Sequence, residues 1–151
     1  LTAAGVQILH VYGPNNTDQV EGITDLPDYH GVAYIDGMDD AYAAADMAVC
    51  RAGAMTCAEL AAVGLPAVYV PLPIGNGEQR HNAAPVVEAG GGILVDDAQL
   101  SGTLLSASVL DVITDRGRLD TMSANAAEHG VRDAAGRLAD MVMAAAAKGD
   151  K

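Results

Sequence analysis

Thr56 and Glu59 stand three apart, just after a corner of small residues, Arg51-Ala52-Gly53-Ala54, and inside a run long enough for a helix. Such little side-chain bulk lets a ligand lie directly on the backbone, where a helix start presents unpaired N–H groups. Those donors, with the positive end of the helix dipole, attract anions and phosphates in particular. Thr56 would then face a phosphate, and Glu59 would accept hydrogen bonds from a sugar diol. The same spacing equally fits a capping box, in which both side chains satisfy backbone donors and bind nothing. Pattern alone leaves both readings open.

A second polar run, Gly77-Glu78-Gln79-Arg80-His81-Asn82-Ala83, follows a Pro-bounded loop and opens another helix. It is dense in groups that read hydroxyls, although an ordinary solvated helix start has the same composition. No second His or Cys stands at ligand spacing from His81, so a metal is not expected. His10, His30 and His129 are scattered and carry no functional expectation. Cys50 and Cys57 have no partnered His that would suggest a nucleophile, and two cysteines support neither a disulfide framework nor a Cys-rich zinc site. Both are expected as buried, reduced thiols. Asp96-Asp97 is expected to cap or solvate a loop.

These residues need a scaffold, and the pattern supplies a βαβ unit. Two short apolar runs, Met47 to Cys50 and Ala67 to Val70, flank the helix that starts at the corner. Upstream, Leu1 to Gly5 reads as a last helical turn closed by Gly5, followed by a strand from Val6 to Tyr12. Gly13-Pro14-Asn15-Asn16 and Asp25-Leu26-Pro27-Asp28 break the chain around a short helix or loop at Asn16 to Gly22. Val32 to Ile35 reads as a strand ending at Asp36-Gly37, and Met38 to Ala45 as a helix. Downstream come the Pro71 to Gly77 loop and a helix from Glu78 to Ala89, with Pro85 in its first turns or at a kink, stopped by Gly90-Gly91-Gly92. A last strand spans Ile93 to Val95. Helices follow over Ala98 to Thr114, Arg118 to His129 and Asp133 to Ala147, the last with Leu138, Met141, Val142 and Ala145 on one face. Lys148 to Lys151 is expected to fray.

Apolar strands alternating with helices predict an α/β fold, a parallel sheet with helices on both faces. Ligands of such sheets bind beyond the carboxyl ends of the strands. That rule gathers Tyr12-Gly13, Ile35-Asp36, Arg51 to Thr56 and Pro71 to Asn82 at one edge.

Composition narrows the partners. The 151 residues suit one domain, and half are hydrophobic, yet Trp and Phe are absent. Little aromatic surface is available for stacking on bases, and a formal charge of −12 repels a polyphosphate backbone. Nucleic acid is therefore not an expected partner. Any bound phosphate must be held locally, by backbone donors and by cations such as Arg51 and Arg80. No apolar run approaches the ~18 residues of a membrane span, nor do the first residues form a secretion signal. A cytoplasmic location is the default expectation.

Taken in order, Cys50 to Glu59, Gly64-Leu65-Pro66-Ala67, Val70-Pro71, Glu78 to Ala83 and Glu88-Ala89-Gly90 make the chain resemble the peptidoglycan N-acetylglucosaminyltransferase family (MurG) over nearly its whole length. A looser resemblance extends to other glycosyltransferases of the GT-B fold. The resemblance implies a Rossmann-like, carboxyl-terminal donor-binding domain, partial over residues 1–151, with a helical segment at about 115–147. It further implies that backbone at Ile35 reads uracil, that Glu59 binds ribose, and that Gly53, Ala54, Met55 and Thr56 lie against a diphosphate. Glu78, Gln79 and Asn82 would address N-acetylglucosamine hydroxyls. Glu78 departs from the Gln usual there, and the Pro73 to Gly77 loop is less polar than is common in the family.

The implied reaction is inverting transfer of N-acetylglucosamine from its UDP donor to lipid I (undecaprenyl-pyrophosphoryl-MurNAc-pentapeptide), giving lipid II for the cell wall. Fixed N–H donors can stabilise the departing UDP, so neither metal nor other cofactor is implied. Acceptor binding, the general base and membrane contact are expected from an amino-terminal domain outside this chain, the full-length enzyme being peripheral on the cytoplasmic face of the plasma membrane. The opening strand and glycine loop of the donor domain are expected to be missing, leaving either a gap or direct pairing between the first strand and that ending at Cys50. Alone, the chain is expected to be inactive. Alternative readings are a UDP-sugar epimerase, a different glycosyltransferase, and a non-catalytic nucleotide-sugar-binding subunit.

Overall fold

The computed structural model describes residues 1–23 and 26–149. Asp25 of the expected second turn, and Asp150 and Lys151 of the expected tail, lie outside the described residues.

Among the described residues, five short parallel strands form two separate sheets. β1 (Ile8–Val11) pairs with β2 (Tyr29–Val32), Ile8 opposite Tyr29. In the second sheet β4 (Ala67–Tyr69) lies between β3 (Ala48–Cys50) and β5 (Gly92–Leu94). Six helices accompany them among the described residues: α1 (Met38–Ala44), α2 (Ala54–Val63), α3 (Glu78–Glu88), α4 (Gly102–Ile113), α5 (Arg116–Glu128) and α6 (Ala134–Gly149).

The core sits on both faces of β4. Ala67 and Tyr69 share one cluster with Leu60 and Ala61 of α2, Val86 of α3 and Ala126 of α5. Val68 and Val70 share the other with Val95 and with Val109 of α4. A strand covered on both faces gains nothing from alternation, which is why Ala67 to Val70 reads as a continuous apolar run. Burying Leu60, Val68 or Val112 contributes about 1.5–3 kcal/mol each. This layer is therefore the rigid base from which the loops after β3, β4 and β5 project.

Close approach explains the glycine triplet. Gly90, at φ +79°, follows the end of α3, a Cβ on Gly91 would lie 2.6 Å from the Ala126 nitrogen, and one on Gly92 would lie 2.7 Å from the Tyr69 ring. Helix stop and tight packing thus occupy adjacent positions.

Between β1 and β3 no ladder forms. A slot of about 570 Å³, lined by Ile8, Leu9, Ala45, Met47 and Ile113 among others, separates them. Leu9, Val11 and Val49 are left exposed along these strands. Of the two expected outcomes, a gap or direct pairing, the gap is the one seen.

Several boundaries differ from expectation. β2 lies three residues earlier than Val32 to Ile35, because an edge strand with one neighbour needs no apolar run and accommodates His30 and Gly31. The Asn16 to Gly22 segment holds only a 3-10 turn at Thr17–Gln19. The helix expected from Ala98 is a 3-10 turn at Asp97–Gln99 followed by α4, whose start is fixed where the Ser101 hydroxyl accepts from the Leu104 N–H at 3.1 Å. α5 begins before Arg118 because Asp115 caps it, accepting from the Arg118 N–H at 3.0 Å. Pro85 lies in the interior of α3. α6 continues through Lys148 to Gly149, so those two residues belong to a helix and not to a frayed end. Its apolar residues Leu138, Met141 and Val142 are all exposed. No helix among the described residues is long and apolar enough to cross a membrane.

Candidate functional site

The corner after β3 is bare where it meets solvent. Ala52 is fully buried, but Gly53 is half-buried and Ala54 and Met55 are exposed, Met55 to 70%. Gly53 is the N-cap of α2, with extended backbone and no side-chain hydrogen bond to the cap. The first helical bond runs from the Cys57 N–H to the Gly53 carbonyl at 2.9 Å. The amides of Ala54, Met55 and Thr56 therefore have no partner within the helix. At its other end α2 closes on Gly64 in the left-handed region, whose carbonyl accepts from the Ser123 hydroxyl at 2.7 Å.

This geometry excludes the capping-box reading of Thr56 and Glu59. A capping box needs the hydroxyl at the N-cap, whereas Thr56 is the third residue of the helix. Glu59 is equally uninvolved: its Oε2 accepts from the Tyr42 hydroxyl of α1 at 2.8 Å. Glu59 is among the residues lining a groove of about 700 Å³ between α1, α2 and α5, which runs along α2 to Gly64, Leu65 and Pro66 and is lined also by Met38, Tyr42 and Arg116. Ile35 stands half-buried on the loop leading into α1.

α3 supplies the opposite side of the corner. Gln79 Oε1 accepts from the Ala52 N–H at 3.1 Å and from the Leu72 N–H at 2.9 Å, and Asn82 Nδ2 donates to the Ala52 carbonyl at 3.1 Å. Glu78 turns back on its own loop, accepting from the Asn76 N–H at 3.2 Å. The two candidate phosphate cations are both paired. Arg51 donates to Asp97 and, at 3.2 Å, to the Val70 carbonyl, and Arg80 donates to Asp96. Their side chains are 47% and 53% exposed, so each ion pair is worth about 0–1 kcal/mol and can be exchanged for another anion.

The sequence pattern of the glycosyltransferase family 28 C-terminal domain matches residues 1–138. The chain belongs to this family. Among curated relatives, the "UDP-N-acetylglucosamine--N-acetylmuramyl-(pentapeptide) pyrophosphoryl-undecaprenol N-acetylglucosamine transferase" of Acidothermus cellulolyticus is 59% identical over 97% of this chain and 41% of its own length. The protein of the same name from Streptomyces coelicolor is 61% identical with the same coverage. The chain thus spans about two fifths of the length of these curated relatives. Among solved structures, the crystal structure of Acinetobacter baumannii MurG matches with a TM-score of 0.82 at 27% identity, over 91% of this chain and 42% of that one.

In this family 28 domain, four residues at the site were not singled out for it by the sequence. Tyr42 lies in the helix expected over Met38 to Ala45 with no spacing that ties it to Glu59, and Ala52 contributes through its backbone, which no side-chain pattern reveals. For Asp96 and Asp97 the sequence suggests only the capping or solvation of a loop. Their position just past the last strand, on the edge where Arg51 and Arg80 emerge, was the available signal. Burial, reinforced by the hydrogen bond and charge of Glu59, raises the Tyr42 hydroxyl to about 12. Burial also raises Cys50 to about 12, with a smaller contribution from Cys57, and raises Cys57 itself. Both thiols stay protonated near neutrality and are poor nucleophiles.

Proposed function

We propose that the chain is the UDP-N-acetylglucosamine-binding part of an inverting hexosyltransferase that transfers N-acetylglucosamine to lipid I, forming lipid II in peptidoglycan synthesis. One observation carries this reading: the α2 start offers unpartnered amides at Ala54, Met55 and Thr56, and the exposed Glu59 stands one turn further on along the same helix. The diphosphate lies against those amides and the ribose diol donates to Glu59. Backbone at Ile35 reads the uracil, while Gln79, Asn82 and Glu78 border the sugar.

As the acceptor hydroxyl attacks the anomeric carbon, the bond to the UDP oxygen breaks and negative charge grows on the leaving diphosphate. Amides already aimed at that position stabilise the charge without reorganising. A base elsewhere in the longer protein takes the hydroxyl proton. Residues 1–151 are then part of the donor domain, with α5 and most of α6 as its carboxyl-terminal helical segment; the separation of β1–β2 from β3–β4–β5 supports a sheet that further chain completes. Lipid I and the cytoplasmic membrane face are engaged through the rest of that protein.

Calorimetric titration with UDP, UDP-N-acetylglucosamine and UDP-glucose tests the reading on the native chain and on Glu59→Ala. Glu59→Ala should weaken UDP about tenfold, and should lower stability by no more than the about 1 kcal/mol that its hydrogen bond to Tyr42 contributes. Failure of the native chain to bind any of the three, or loss of affinity only in step with stability, refutes it.

A further inference from the structure

The atoms of Gln79 and Asn82 that a ligand would ordinarily read are already committed to the protein. Two backbone donors, the Ala52 and Leu72 N–H groups, converge on Gln79 Oε1 and occupy its acceptor capacity. Asn82, three residues on and hence on the same face of α3, spends a donor on the Ala52 carbonyl. Ala52 is fully buried, and the β3–β4 ladder has ended two residues before it, at Cys50 opposite Tyr69. Both polar groups of Ala52 therefore depend on these side chains for partners.

The next residue is Gly53, the N-cap of α2, which no side chain caps. Turning the Ala52 peptide would turn the Gly53 unit and the amides that follow. We propose that Gln79 and Asn82 are positioning residues, a two-sided clamp on Ala52 that aims the α2 amides, so that their influence is felt by the diphosphate and not by the sugar alone. This deepens the donor-site reading above and rests on it. It also limits what either side chain can offer a sugar: Gln79 retains only its Nε2 donor, and Asn82 its oxygen and remaining N–H.

Two near-isosteric variants test the clamp, Gln79→Met removing the acceptor and Asn82→Leu the donor. UDP and UDP-N-acetylglucosamine are titrated into each variant and the native chain, with melting curves to confirm that the protein measured is folded. The clamp predicts that UDP itself weakens about tenfold in each variant, and UDP-N-acetylglucosamine at least as much. Weakening of UDP-N-acetylglucosamine alone would make the pair sugar readers, and unchanged affinity for both would make them merely structural; either result overturns the proposal. If the native chain binds neither ligand, the donor-site reading fails on its own. Amide exchange then decides the clamp, which predicts faster exchange at Ala52 and Leu72 in the variants; unchanged rates overturn it. Should the variants not fold, the native chain serves: UDP should slow exchange at Ala52 and Leu72, and no change there would count against the clamp.

Discussion

The Tyr42 hydroxyl donates to Glu59 Oε2 at 2.8 Å, joining α1 to α2 across the groove that both residues line. The bond holds the carboxylate in one orientation and leaves its other oxygen available to a ligand. Tyr42→Phe should therefore cost about 1 kcal/mol of stability in urea unfolding, and should weaken UDP several-fold. Unchanged UDP affinity in the folded variant would show that Glu59 needs no such support.

Alkaline stability follows from the same hydroxyl. Its pKa rises from 10.0 unfolded to about 12 folded, through burial first and Glu59 second, so the folded state holds the proton more tightly. That contribution is complete below pH 10 and is lost as pH climbs toward 12. Cys50 behaves alike from its ordinary 9.0 to about 12. The melting temperature should fall steadily above pH 9, and less steeply above pH 10 in Tyr42→Phe. A melting temperature that rises over this range would contradict the assignment.

The raised thiols also predict chemical inertness. At pH 8 iodoacetamide should label Cys50 and Cys57 slowly in the folded chain and rapidly in denaturant, as mass spectrometry would record. Fast labelling of either cysteine in the folded protein would place it in a more open environment.

Much of this arrangement was legible beforehand, and the reasons are local. α2 could be placed because small residues, Gly64 and Pro66 punctuate it, and β4 because burial on both faces leaves an unbroken apolar run. β2 slipped because His30 and Gly31 look unlike a strand until its edge position is known. Thr56 and Glu59 matched a capping box in spacing but not in register, since the helix begins at Ala54 and not after Thr56. Partnerships across the fold were hidden altogether. Nothing in the spacing of Gln79 and Asn82 says that their amides meet one buried residue 27 and 30 positions earlier.

Glycine substitution offers a stability test with an internal control. Gly91→Ala puts a methyl against the α5 backbone and should cost about 1–3 kcal/mol or more, lowering the urea midpoint. Gly102→Ala meets nothing within 4 Å at the start of α4 and should be neutral or up to about 1 kcal/mol stabilising. Equal effects at both sites would mean that α5 does not press on the glycine triplet.

Asp97 holds Arg51, three residues before α2, and Asp96 holds Arg80 of α3. Changing both to Asn releases Arg80 and Arg51 and should strengthen UDP binding a few-fold at low salt, with the gain shrinking as ionic strength rises. A salt-independent loss of affinity would instead make these carboxylates supports of the loop.

The donor corner itself can be observed residue by residue, by following backbone amide resonances of the isotope-labelled chain during titration with UDP. The account predicts that the largest shifts fall on Ala54, Met55 and Thr56, with Glu59 and the loop at Ile35 next. Shifts confined to other parts of the chain, or none at saturating UDP, would contradict it.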